Sequence, residues 1–311
     1  MFTWHHLITL FRYRAQVLPL DYELFLTHGN QASLPSMLTS MNLGRGVYMN
    51  VCRSENGVPD LIGQMRYTPG RRSARMVFLA PEPECDTPLL NVLMEHFAAL
   101  AGRHGAFHLL AELDEHHPAL TYMRRSGFSV FAWQRIWKYP IGKSSGEMKY
   151  WKPARNGDEI AVRSLYHALV PPLVQAAEPL SSSLSKVLVF KHKGEVLACA
   201  ESVYGPRGIY LYPLVHPAVE NVGEVLSDLL ENIPMRMGRP VYLSVRSYQA
   251  WLETTLQYLE GSVLPRQTLL VKHLVQAQRV ESTARLGVYE NRQAEPTATI
   301  VTRVSNGNKS A

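Results

Sequence analysis

Glu112 stands late in the apolar run from Phe107 to Leu113, followed by Asp114, Glu115 and the pair His116 and His117. A carboxyl group at the end of a strand can face a cleft, where loss of water raises its pKa and makes it a general base. It can equally sit in solvent as a surface acid. His96, His104, His108, His116 and His117 are divided between a helix and a strand by Gly105, with no HExxH and no i,i+4 pair on one helix, so no metal is expected there. Cys52, Cys85 and Cys199 lie far apart without a CxxC, which argues against a disulfide framework and fits a reducing compartment. Arg66, Arg71, Arg72 and Arg75 form a basic patch that reads either as a solvated hairpin loop or as a phosphate contact. Gly44-Arg45-Gly46 reads as a turn. The chain carries no GxSxG, no Walker loop and no Cys/His pair with nucleophile logic.

The elements that must position these groups follow from pattern. A chain of 311 residues, 46% apolar and 19% charged, holds about two domains of ~150 residues with substantial cores. A formal charge of +6 over this length does not amount to a nucleic-acid footprint. No apolar run approaches the ~18 residues of a membrane span. The opening MFTWHHLITLFRYR lacks the order of a secretion signal, so a cytoplasmic location is expected.

A strand-turn-strand pattern occurs twice, from Val47 to Tyr67 through Gly57 and from Val187 to Val203 through Gly194. Each is followed by an apolar strand with a proline, ARMVFLAP and RGIYLYP, which pairs Arg75 with Arg207 and Pro81 with Pro213. A proline cannot donate to a ladder, so these positions imply an edge, a bulge or a parting of strands. A helix, a strand, a second helix and a last strand complete each half, and IWKY (Ile136 to Tyr139) answers LVKH (Leu270 to His273). The offset is 137 residues at the two glycines, 132 at the prolines and 134 at Lys138 and Lys272, the drift that loop insertions produce. Capping boxes are expected at Asn156/Glu159 and Asn221/Glu224, and Thr87-Pro88 opens a helix that Gly102 closes.

This order of elements, with His117 to Phe128 similar to the family helix A-x-x-x-Y-x-x-x-G-F and Val215 to Leu230 similar to the family segment V-x-P-x-x-R/Q-x-x-G-x-G/A, resembles the GNAT acyltransferase superfamily. The resemblance spans about Leu18 to Leu274 and implies an α/β (α+β) fold of two tandem GNAT-like domains, each a mixed, partly splayed sheet flanked by helices. The expected division is residues 1–140, a linker at 141–153, residues 154–275, and a poorly ordered tail at 276–311. The resemblance further implies transfer of an acetyl or other acyl group from CoA to a small-molecule or peptide amine, with no metal, no membrane and no nucleic-acid partner. The alternative is a non-catalytic ligand-binding or assembly module that keeps the fold.

By the same resemblance, CoA would be held at Leu214, Val215, Asn221, Val222, Gly223, Glu224 and Val225, where a helix start offers backbone N–H groups to a pyrophosphate. Glu220 stands where the family has Arg or Gln, and Val225 where it has a small residue. A carboxylate ~5 Å from a phosphate costs about 3 kcal/mol at an effective dielectric of ~20. The first half has Glu82, Glu84 and Asp86 there and no glycine. Acid-base candidates are Glu112, His216 at the mouth of the second cradle, and Tyr122, which stands one residue from the place of the family's tyrosine, a rotation of ~100° on a helix. Each has a plain alternative: a surface acid, an exposed loop histidine and a packed tyrosine.

Overall fold

The computed structural model describes residues 11–32, 46–53, 60–82, 88–140, 146–180, 183–234 and 237–274. The turns around Gly44 and Gly57, the acids Glu84 and Asp86, the Thr87 cap, Cys85 and the expected tail lie outside the described residues.

The strands are β1 (Leu18–Pro19), β2 (Val47–Cys52), β3 (Leu61–Arg66), β4 (Ser73–Ala80), β5 (His108–Asp114), β6 (Ser129–Tyr139), β7 (Trp151–Pro153), β8 (Val187–His192), β9 (Glu195–Tyr204), β10 (Ile209–Val215), β11 (Val241–Arg246), β12 (Ser262–Val263) and β13 (Gln267–His273). The helices are α1 (Tyr22–His28), α2 (Pro88–Arg103), α3 (Ala119–Arg125), α4 (Glu159–Leu169), α5 (Pro172–Ala177), α6 (Val222–Asn232) and α7 (Leu252–Tyr258).

All the strands join one mixed sheet in the order β2-β3-β4-β5-β13-β6-β11-β10-β9-β8-β7, with β1 on β4 and β12 on β6. The two halves exchange their last strands. β13, from the second half, lies on β5, whereas β6, from the first half, lies on β11. The exchange keeps register: Leu270 pairs with Ala111 and Val271 with Leu110, while Ile136 pairs with Ser244 and Trp137 with Leu243. IWKY and LVKH therefore occupy equivalent places on opposite halves. The segment 141–153 contributes the edge strand β7, whose Trp151 indole N–H donates to the Val225 carbonyl at 2.7 Å.

The registers correct the pairing of the prolines. Arg75 pairs with Leu110 and Leu211 with Leu243, so Arg75 corresponds to Leu211 rather than to Arg207. On that register Pro81, one residue past β4, corresponds to Pro217, and Pro213 inside β10 corresponds to Val77. The two apolar runs look alike, but the run containing Pro213 enters its ladder earlier.

The capping boxes also differ from expectation. Asp158, not Asn156, anchors the start of α4, its carboxylate accepting from the Arg155 N–H at 2.9 Å. Asn221 makes no side-chain bond into α6, and the Glu224 carboxylate accepts from the Tyr150 hydroxyl at 2.7 Å.

Helices cover both faces. Leu90, Leu93 and Phe97 recur at helical spacing on α2 and bury against Met65, Met76 and Leu109. Val225, Leu226 and Leu229 of α6 bury against Leu211, Val215 and Leu243. Each such side chain contributes ~2 kcal/mol by leaving water. On the opposite face Val162 and Leu165 of α4 and Val174 of α5 pack on Leu110, Leu214, Leu269 and Val271, strands of both halves.

Candidate active site

Each half contains a parallel pair that parts after three residues. β4 bonds to β5 only from Ser73/His108 to Arg75/Leu110, although both strands run on to Ala80 and Asp114. β10 bonds to β11 only from Ile209/Val241 to Leu211/Leu243, although they continue to Val215 and Arg246. Beyond these points each pair leaves backbone groups facing a gap.

The chain fills the first gap itself. Leu18 and Pro19 of β1 pair with Leu79 and Phe78, the Leu20 N–H donates to the Val77 carbonyl at 2.9 Å, and the Leu20 carbonyl accepts from the Glu112 N–H at 2.9 Å. Leu20 is fully buried, and the next turn starts α1 with Asp21 as its cap, accepting from the Leu24 N–H at 3.0 Å. An inserted strand has replaced any ligand in this slot.

In the second gap a side chain takes the crossing: the Gln249 amide donates to the Val215 carbonyl at 2.9 Å. The His216 N–H points the other way, to the Leu197 carbonyl at 2.8 Å. Strand alternation then turns the backbone polar groups of Pro213 and Val215 toward the gap and those of Leu214 toward β9. Pro213, whose nitrogen has no hydrogen, thus costs the ladder nothing, and the Val215 N–H is the donor that this edge of β10 offers. Past Val215 the chain reaches α6. Among the described residues, the N–H groups of Val222, Gly223 and Glu224 meet no acceptor, since the first helical bond is Val225 N–H to the Asn221 carbonyl. A Cβ built on Gly223 would meet its nearest neighbour, the Thr255 methyl group, at 3.7 Å, ordinary van der Waals contact without a clash.

On the α4 side of the sheet lies a cavity of about 500 Å³. Pro213 and Leu214 of β10 and Ser244 and Arg246 of β11 line it, so the second gap opens into it. Val162, Val170 and Val174 make an apolar wall, and Arg71, Arg72 and Lys186 bring charge to its border.

A chain of buried ion pairs forms the floor. Arg75 Nη1 donates to Glu112 Oε1 at 2.9 Å and its Nη2 to Glu178, whose other oxygen lies 2.9 Å from Arg246 Nη2. Arg66 holds Asp21 at 2.6 Å and Glu23 at 3.0 Å, and the Tyr212 hydroxyl donates to Glu23 at 2.7 Å. Burial pushes the carboxyl of Glu178 up, but Arg246 and Arg75 outweigh it and hold the pKa below the usual range. At Glu112 burial wins. Despite Arg75, and helped by Asp21, its pKa is raised to about 7. Glu201, from β9, also lines the cavity. Its carboxyl is pushed up by burial and then by the nearby Glu23.

Glu112 is not a surface acid. It is buried, held by Arg75, the Tyr22 N–H at 3.1 Å and the Gln134 amide at 3.2 Å, in the filled gap and outside the cavity lining. Tyr122 lies on α3, half-buried against the first core beside the fully buried Met123. His216 follows Val215 directly, its Nδ1 accepting from the Ala218 N–H at 3.1 Å. The structure therefore groups His216 with the Leu214–Val225 segment and leaves Glu112 and Tyr122 apart from it. Glu178, Arg246 and Glu201 were not anticipated, and Arg75 was read only as part of the basic patch. The signal available for Arg75, Arg246 and Glu201 was a charge inside an apolar strand run: ARMVFLA, VYLSVR and VLACAESVY. Glu178 follows α5 with no pattern to mark it. Among the described residues no group of three His, Cys, Asp or Glu side chains is placed to hold a metal.

No protein-family model and no curated protein matches the chain. Solved structures do. A GCN5-related N-acetyltransferase from Sphaerobacter thermophilus is similar over 78% of this chain and 86% of its own, at 13% identity and TM-score 0.49. A GCN5-related N-acetyltransferase from Kribbella flavida covers 77% and 96%, at 12% identity and TM-score 0.48. A tandem GNAT protein from the clavulanic acid biosynthesis pathway covers 74% and 84%, at 13% identity and TM-score 0.41.

Proposed function

We propose that this chain transfers an acyl group from CoA to an amine, and that the second half alone holds the thioester. The observation that carries the reading is the parting of β10 from β11 after Leu211/Leu243, which opens on the cavity while the uncapped start of α6 follows at the far end. The pyrophosphate would rest on the N–H groups of Val222, Gly223 and Glu224, beside Asn221 and Val225. The pantetheine arm would lie along Leu214 and Val215, with the Val215 N–H donating to it. Glu220 and Glu224 weaken this grip, although Glu224 is already engaged by Tyr150.

The amine, held in the cavity, attacks the thioester carbonyl carbon. A C–N bond forms, the C–S bond breaks, and the amine gives up one proton. Glu201 is the acceptor for that proton, because it lines the cavity and burial raises its basicity. His216, next to Val215, is placed to return a proton to the CoA thiolate. Holding both reactants in one site supplies the remaining advantage.

Among the described residues no helix is long and apolar enough to cross a membrane, and a cytoplasmic site of action accords with the cysteine usage. The module reading applies to the first half, where the inserted β1 strand fills the slot.

Isothermal calorimetry with acetyl-CoA and with free CoA tests the reading. Micromolar binding is expected, at one site per chain. A folded protein that gives no heat with millimolar acetyl-CoA would refute it.

A further inference from the structure

The cavity is unevenly charged. Among its lining side chains are Arg66, Arg71, Arg72, Arg75, Lys186 and Arg246, against the carboxylates Glu23, Glu178 and Glu201. The inner arginines are largely matched: Arg66 by Asp21 and Glu23, Arg75 by Glu112 and Glu178. Arg246 is not. It spends Nη2 on Glu178, a carboxylate it shares with Arg75, while its Nη1 is buried and has no hydrogen-bond partner. Its side chain is only 9% exposed, so little water is at hand to compensate.

A guanidinium with an unmet donor in a desolvated site is costly unless something accepts from it. Protein groups supply no acceptor to that Nη1, and Arg246 lines the cavity. Arg71, Arg72 and Lys186 at the border add positive potential, shared with Glu201 across the lining. An apolar wall of Val162, Val170, Val174 and Leu180 faces this charge.

We infer that the amine accepted here also carries an anionic oxygen group, a carboxylate or a phosphate, on an apolar spacer, with Arg246 as the residue that receives the anion. This rests on the acyl-transfer reading for the role of the amine, but the anion site itself does not. The same charge distribution rejects acceptors with a second ammonium group, because Glu201 serves the reacting amine and a further cation would meet Arg246.

A matched series separates these cases. 6-Aminohexanoate, 6-aminohexanamide and 1,6-diaminohexane share one amine and one spacer and differ only in the far end. Titrated calorimetrically into the full chain without CoA, the carboxylate is expected to bind at least about tenfold more tightly than the amide, and the diamine more weakly still. 6-Aminohexyl phosphate forms the second arm: tighter binding than the carboxylate assigns a phosphate, weaker binding a carboxylate. Either ordering supports the anion site. Equal affinity for carboxylate and amide, tighter binding of the diamine, or no heat from any probe at millimolar concentration overturns it.

Arg246→Lys keeps a charge for Glu178 and removes the spare donor, and it is expected to abolish the preference for the anion while leaving acetyl-CoA affinity unchanged. Should that variant fail to fold, the double variant Arg71→Ser, Arg72→Ser is expected to reduce the preference several-fold and to weaken its salt dependence. An unchanged preference in a folded variant removes those residues from the site. Acetyl-CoA binding without discrimination among the probes defeats this inference alone. Discrimination without acetyl-CoA binding defeats acyl transfer and leaves an anion-binding cavity.

Discussion

The gap between β4 and β5 and the gap between β10 and β11 begin alike, each after three bonded pairs, and end differently. The first is sewn shut by backbone: Leu20 bonds both Val77 and Glu112. The second is spanned by the buried amide of Gln249, a single side-chain bond to the Val215 carbonyl. A strand insertion converts a slot into core, whereas a side-chain bridge leaves it convertible into a site. What separates the filled gap from the bridged one is thus the course of the segment Leu18–Leu20, and the parting of the strands is common to both.

The contrast is most severely tested at the point where both gaps meet the ion-pair chain. Glu178→Ala would leave Arg75 and Arg246 buried without their shared carboxylate, and a loss of about 3–5 kcal/mol in urea unfolding is expected. A loss below ~1 kcal/mol would show that water already serves these cations. Next in size, Leu20→Ala empties part of the filled gap and should cost about 2–4 kcal/mol with no change in acetyl-CoA affinity. The mirror experiment is Gly223→Val, where the added Cβ meets Thr255 only at ordinary contact distance. Stability should hold within ~0.5 kcal/mol, apart from the propensity change, while acetyl-CoA affinity falls by about tenfold or more. If Leu20→Ala weakens CoA binding and Gly223→Val does not, the two gaps have been assigned in the wrong order.

The smallest effect concerns pH. Glu112 has its carboxyl raised to about 7, so the folded state holds that proton more tightly than the unfolded chain does. Its contribution is complete below the ordinary carboxylate range near ~4.3 and is lost as pH rises through about 7. Glu112→Gln lacks this loss. Relative to the variant, wild-type Tm should therefore fall between about pH 5 and pH 8, and a constant difference would show that the carboxyl is not titrating there.

Apolar runs and turn glycines made the repeated strands legible, and the parting strands followed from the resemblance those runs carried. Helix starts were less legible. A capping pair such as Asn221 and Glu224 is a local signal, whereas the Glu224 carboxylate is taken by the Tyr150 hydroxyl, 74 residues away in sequence. The inserted β1 strand is two residues long and carries no periodicity, so nothing marked Leu18–Leu20 as the occupant of a slot. Glu112 was visible as an acid in an apolar strand, but its partners Arg75, Tyr22 and Gln134 come from three other elements. The strand exchange could not be read either, because β6 and β13 present equivalent patterns and either satisfies either neighbour.

That exchange binds the fate of the two copies together. A chain cut between them would leave β5 and β11 each facing solvent where the other copy's closing strand belongs, two raw edges prone to pair with whatever they meet. Duplication followed by such a trade is hard to reverse, because neither copy can be deleted without exposing the survivor. The half with the filled slot thus lends β6 to the other half's β11 and supplies part of the cavity wall.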